Sequence, residues 1–194
     1  MSSRLPDEKA CLDLLRAEGC SDKVVRHCCT VNQVAMAIAR SCNADQELVN
    51  AGSWLHDIGR SSTHGIRHVS EGVAIARARG LPEEVVRIIS SHVAAGLTHE
   101  EAEGLGLPPG DYMPSSLEEK IVCHSDNLVG DSEVMTLQEA LEELEARGYM
   151  TTAGRMAAMH RELSEKCGKD LDALLEDLDI RKKAIKRCAA YVSR

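Results

Sequence analysis

Six side chains suited to metal coordination stand where a folding chain would be expected to place apolar ones. His27 interrupts the helical stripe Val24, Val31, Val34, Ile38, and His92 continues Val85, Ile88, Ile89. His68 precedes Gly72, Ile75 and Ala76 at the same spacing, and Asp126 shares a face with Val122 and Val129. His56 and Asp57 sit side by side at the end of a segment that carries Leu48, Val49, Gly52 and Leu55. Any one of these alone reads as a satisfied core residue. Their recurrence on several stripes argues instead for a shared site. A carboxylate on an apolar stripe is costly to bury unless it is paired or bound to a cation. Four imidazoles and two carboxylates suit first-row divalent metals. One ion takes three or four donors, so six point to two ions sharing a bridge, and a carboxylate such as Asp57 has two oxygens with which to bridge.

The elements that must position them read as helices from end to end. Apolar residues recur at three-and-four spacing, broken by Gly, Pro, Ser or Asp, and about ten helices fit this punctuation. Ser21 caps the segment bearing His27, and a second segment starts near Asp45. Others span about 66–79, 82–92, 98–105 and 116–129, with Ser116 and Glu119 at capping-box spacing. Beyond residue 130 the helices turn amphipathic and surface-rich. Thr136 and Glu139 repeat the capping box, Met156, Met159 and Leu163 read as core, and a last helix carries Leu171, Leu174, Leu175, Leu178, Ile185 and Val192. Its basic end, Arg181, Lys182, Lys183, Lys186 and Arg187, complements the helix dipole and reads as a solvated terminus. The expected organisation is an all-α core over residues 1–130 followed by a helical extension over 131–194.

Composition narrows the classes further. Aromatics make up 2% of 194 residues, with no Phe, which disfavours β-rich folds. No window approaches the roughly 18 uninterrupted apolar residues of a bilayer span, and the opening MSSRLPDEKACLDLL lacks a signal-peptide core. A soluble, cytoplasmic protein is expected, with its eight cysteines as reduced thiols. The net charge of −8 argues against broad nucleic-acid binding. His99, His124 and His160 have polar or mixed neighbours and are expected to be exposed. GLGLPPG at 104–110 reads as a rigid connector, placed at the pocket rim.

The residues singled out above carry a family resemblance. His27, the pair His56 and Asp57 within HDIGR, and Asp126 within KIVCHSDNL resemble the H...HD...D signature of the HD superfamily of metal-dependent phosphohydrolases. HVSEG at 68–72 and SHVAAG at 91–96 are similar to the two further histidine motifs of its binuclear branch, which includes the HD-type diadenosine tetraphosphate hydrolases and the HD-GYP phosphodiesterases. HDIGRSSTHGIRH with LEEKIVCHSDNL is most similar to a small HDIG-type group of predicted hydrolases. The five motifs occur in order over roughly residues 20–130. No GYP element follows, which disfavours cyclic dinucleotides.

The resemblance implies an HD-domain helical bundle with one metal on His27, His56, Asp57 and Asp126 and a second on His68, His92 and bridging Asp57. Iron or manganese is favoured, with zinc, magnesium and nickel as alternatives. Two such cations about 3.5 to 4 Å apart activate a bridging water and neutralise charge on phosphate oxygens. The implied reaction is hydrolysis of a phosphate ester or phosphoanhydride in a nucleotide or another small phosphorylated metabolite. Asp57 and Arg60 are the implied catalytic residues. Many relatives have Lys where this chain has Arg60, a residue that clamps phosphate well but donates protons poorly. Arg60, His64 and Arg67 are the candidates to meet substrate phosphate. A non-catalytic nucleotide-binding or sensor module, a structural adaptor and a mononuclear enzyme stand as alternatives. The expected partner is the small substrate, with neither membrane nor nucleic acid. The extension covers the core or builds a homo-oligomer.

Overall fold

The computed structural model describes residues 5–130 and 133–191. Eleven α-helices account for almost all of it: α1 Glu8–Ala17, α2 Asp22–Cys42, α3 Gln46–Leu55, α4 His68–Ala78, α5 Glu83–Ser91, α6 His99–Gly104, α7 Leu117–Asn127, α8 Leu137–Ala146, α9 Met150–Cys167, α10 Leu171–Asp177 and α11 Ile180–Cys188. The boundaries follow local chemistry. Side chains of Asp7, Ser21, Asp45, Thr98, Ser116, Thr136 and Asp170 each accept a backbone N–H from the first turn of the helix that follows. Thr98 with Glu101, and Thr136 with Glu139, complete reciprocal capping boxes.

Helix α2 is the central strut. One face buries Val31, Val34 and Ile38 against Ile121 and Val122 of α7 and against Met156, Leu163 and Leu171 from the later helices. A second apolar cluster gathers Leu15, Val25, Trp54, Leu55, Ile58, Val85 and Ile89. A third, smaller one joins Val69, Val93, Leu97, Leu107 and Tyr112. These clusters clamp α2, α3, α4, α5 and α7 around one point, which is where the candidate ligands meet. No helix among the described residues is long and apolar enough to cross a membrane.

The all-α expectation holds, with local departures. Val129–Gly130 and Glu133–Val134 form a two-residue antiparallel ladder just after α7. The last predicted helix is two, because Asp179 adopts a left-handed conformation (φ 51°) between α10 and α11. The stripe residue Val192 lies outside the described residues. His124 and His160 are buried rather than exposed, with His124 Nε2 and His160 Nδ1 3.0 Å apart. Each histidine satisfies a ring nitrogen on the other, so polar sequence neighbours did not decide their environment.

The reduced-thiol expectation is also corrected. Cys29 is bonded to Cys188 and Cys42 to Cys167, with Cα separations of 5.7 and 4.2 Å. Both bonds tie α2 to the later helices across 159 and 125 residues, a proximity that tertiary packing creates and linear spacing does not reveal. Cys11, Cys20, Cys28 and Cys123 remain free. The 104–110 connector sits away from the ligands, and its Pro108, Pro109 and Gly110 border a separate cleft with Arg77 and Arg87.

Candidate metal centre

Each candidate ligand is presented by the end or the inner face of a helix. His27 projects from α2 and Asp126 from the last turn of α7. His56 caps α3, Asp57 precedes a short 3-10 turn at Ile58–Ser61, His68 opens α4 and His92 closes α5. The 3-10 turn lies so close to α4 that only glycine fits at position 59. A Cβ there would stand 1.9 Å from the His68 carbonyl oxygen and 2.5 Å from the Gly72 nitrogen. That approach brings Asp57 and His68 into one cage.

Three of the histidines share one orienting device. Nδ1 of His56, His68 and His92 donates to the carbonyl three residues earlier, Ser53, Gly65 and Ile89, at 2.8, 2.8 and 2.7 Å. A carbonyl can only accept, so Nδ1 carries the hydrogen and Nε2 of the neutral ring is left with a lone pair facing inward.

The donor atoms converge in two groups that share Asp57. Around its Oδ2, His27 Nε2 and His56 Nε2 each lie at 3.8 Å. Asp126 Oδ1 borders this group, 2.8 Å from His27 Nε2 and 3.3 Å from His56 Nε2. Around Asp57 Oδ1, His68 Nε2 lies at 3.2 Å and His92 Nε2 at 3.5 Å, and the two nitrogens are 3.1 Å apart. Ligands about 2.1 Å from a common cation stand roughly 3.0 to 3.4 Å from one another in octahedral or tetrahedral arrangements. The group around Asp57 Oδ1, at 3.1 to 3.5 Å, stands close to that edge length, whereas the His27 and His56 nitrogens, each 3.8 Å from Asp57 Oδ2, are set more widely. Both groups, His27 with His56 and Asp57, and Asp57 with His68 and His92, could hold a metal ion.

Electrostatics favour a cation over an empty cage. His56 Nε2 and Asp57 Oδ1 are buried without a hydrogen-bond partner, an arrangement that a bound cation relieves. In the metal-free protein the charge falls unevenly on the cage, with His56 as the group favoured to hold a proton. Burial alone would lower the His56 pKa, but the Asp126 and Asp57 carboxylates outweigh it and push the pKa up to about 9. Burial would likewise raise Asp57, yet His56, His68 and His92 hold its carboxyl well below the usual range. His92 is displaced downward, mainly by burial.

The remaining expected site residues are placed less uniformly. Arg60 Nε donates to Asp57 Oδ2 at 2.5 Å and its Nη1 donates to the His64 carbonyl at 3.2 Å, so the guanidinium leans on the cage. Arg60, His27 and Asp126 border a cavity of about 780 Å³. His64 and Arg67 stand exposed on the loop before α4 and do not line it. The opposite wall was not foreseen. It includes Glu139, Glu143 and Arg147 on or just after α8, and Arg181 on α11, the residue that sequence patterning assigned to a solvated helix end. Nothing in helical periodicity marks a residue that faces a site built by another segment.

Residues 24–131 match the family model described as HD domain. Two proteins named tRNA (cytidine(56)-2'-O)-methyltransferase are similar over almost the whole chain. The one from Picrophilus torridus is 42% identical over 90% of this chain and 51% of its own length. The one from Thermoplasma volcanium is 43% identical over 88% of this chain and 50% of its own length. The chain thus spans about half the length of these curated relatives. Among solved structures, the HD domain of the L. monocytogenes phosphodiesterase PgpH in complex with cyclic-di-AMP superposes with a TM-score of 0.53 at 18% identity. That match covers 87% of this chain and 95% of the other, and it supports the fold alone.

These relatives correct two expectations. Hydrolysis of a nucleotide or small phosphorylated metabolite does not agree with close relatives named for methylating tRNA, and the same names run against the exclusion of nucleic acid. The overall acidic charge does not decide the matter, because it averages over a surface on which any nucleic-acid contact is local. The fold and family expectations, by contrast, agree with both comparisons: with the five motifs in order on a helical frame and more than half its length matched, the chain belongs to the HD domain family.

Proposed function

We propose that this chain is the HD unit of an RNA-modifying system that acts on tRNA, and that its cage receives a phosphate of the RNA backbone in the presence of divalent metal. The observation that carries this reading is the 42–43% identity to two tRNA methyltransferases over nearly the whole chain. His27, His56, Asp57, His68, His92 and Asp126 would hold the metal. Divalent cations bound there would supply Lewis-acid stabilisation of charge on phosphate oxygens. Arg60, braced by Asp57 and the His64 carbonyl, turns a positive group toward the cavity and orients that phosphate.

A second reading is favoured by the sharing of Asp57 between both donor groups. Paired metal sites with a common carboxylate suit phosphoryl chemistry, so the cage would itself cut an RNA phosphodiester. One experiment addresses both readings. A tRNA transcript is incubated with the full chain in Mn²⁺ or chelator, and binding and strand integrity are followed for wild type and Asp57→Asn. Metal-dependent binding that Asp57→Asn abolishes supports the first reading, and metal-dependent cleavage adds the second. Absence of tRNA binding, or binding indifferent to both metal and Asp57, overturns the proposal.

A further inference from the structure

Among the described residues the cage is open to solvent on the side of His27 and Asp126. The side chains of His56, Asp57, His68 and His92 are 0%, 3%, 4% and 1% exposed, whereas those of His27 and Asp126 are 19% and 20% exposed. Those last two border the 780 Å³ cavity, whose far wall belongs to the region between α8 and α11. A space of that size falls within the roughly 300–1,000 Å³ that enclose one small ligand. A duplex cannot descend into it, so a backbone phosphate reaching the cage must belong to a nucleotide drawn out of its stack.

The wall is a mixture of charges. Glu133, Glu139 and Glu143 repel an RNA strand, which leaves Arg147 and Arg181 as the attractive groups opposite Arg60. Arg147 is exposed and pairs with no acidic side chain among the described residues. Arg181 is held by Glu139, whose carboxylate also accepts from the backbone N–H and hydroxyl of Thr136. Glu139 therefore keeps partners when Arg181 turns away, and the ion pair, lying at an exposed surface, costs little to exchange. Guanidinium groups present a planar fork that matches phosphate oxygens.

Resting on the RNA reading above, we infer that Arg147 and Arg181 are specificity-determining residues that grip the phosphates flanking one unpaired RNA nucleotide, making single-stranded RNA the substrate class of this site. The later helices thereby build half of the binding site.

The test uses the full chain in Mn²⁺ with a fluorescent single-stranded RNA hexamer and the same hexamer in a duplex, titrated over a salt series. The duplex is expected to bind at least tenfold more weakly. Arg147→Ala and Arg181→Ala should each weaken the hexamer several-fold and reduce the slope of log affinity against log salt by about 0.7, and Arg147→Glu should weaken it at least tenfold. Mn²⁺ affinity, read by electron paramagnetic resonance, should stay at the wild-type value, which separates wall from cage. Equal binding of hexamer and duplex, or wild-type affinity and slope in Arg147→Glu, overturns this inference while leaving the RNA reading intact. Wild type that binds neither form overturns both.

Discussion

His68 and His92 face each other with their Nε2 atoms 3.1 Å apart, while the Nδ1 hydrogen of each is committed to a backbone carbonyl, that of Gly65 and Ile89 respectively. With both Nδ1 hydrogens committed in this way, the two Nε2 atoms point at one another, and a cation between them and Asp57 Oδ1 would be coordinated by both. His92→Ala removes one of three donors in that group. Elemental analysis after Mn²⁺ loading should show about one ion fewer per chain than wild type. The rise in Tm on adding metal should shrink accordingly, since a ligand at 100 times its Kd stabilises by about 2.7 kcal/mol. Equal metal content in the two proteins would remove His92 from the ligand set.

Gly59 tests how the cage is built without touching a ligand. Its Cα lies against the backbone of α4, and the offending atoms for any added Cβ are main chain, which cannot rotate aside. Gly59→Ala should drive the 3-10 turn away from α4, separating Asp57 from His68. A fall in Tm of 5 °C or more, together with loss of Mn²⁺ binding in whatever remains folded, is expected. Gly52→Ala is the comparison, because there the clash is with the Ile88 side chain alone, and its metal binding should persist.

The buried His124 makes stability depend on acid. Burial and the neighbouring His160 lower its pKa to about 3, against an unfolded value near 6.5. Between those values the unfolded chain binds a proton that the folded chain refuses. Stability therefore falls as pH drops from about 6.5 toward 3. Melting curves at pH 7 and pH 4, in chelator so that metal release does not contribute, should show a smaller drop for His124→Gln than for wild type, the cage titrating alike in both. Parallel drops would mean that His124 is not the group responsible.

The Cys42–Cys167 bond joins positions 125 residues apart and constrains the unfolded chain. Cys42→Ser should lower the unfolding free energy by about 2–4 kcal/mol under oxidising conditions in urea titrations. Under strong reductant the two proteins should converge. A difference that survives reductant would assign the effect to packing rather than to the bond.

The helical frame and the six convergent side chains were legible because each leaves a local mark. Caps such as Ser21 and Thr136 announce helix starts, and an imidazole or carboxylate on an apolar stripe announces a buried polar group that needs a partner. What sequence could not show depends on distant pairing. His124 finds His160 thirty-six residues away, and Cys29 finds Cys188 across most of the chain. Arg181 looked like a solvated helix end because its cavity neighbours, His27 and Arg60, belong to other segments. The break at Asp179 was missed because a left-handed aspartate carries no glycine to mark it. The substrate expectation, which the relatives' names contradict, went beyond the residues for a different reason: side chains that could hold a metal say nothing about which molecule would carry a phosphate to them.

The two sulfur bonds have a practical consequence for anyone probing this chain with proteases. Both enclose the connector at 104–111, exposed except at Leu107, so a single nick there leaves two pieces covalently joined through α2. On a gel run without reductant such a sample migrates as one band, and only thiol treatment separates the halves.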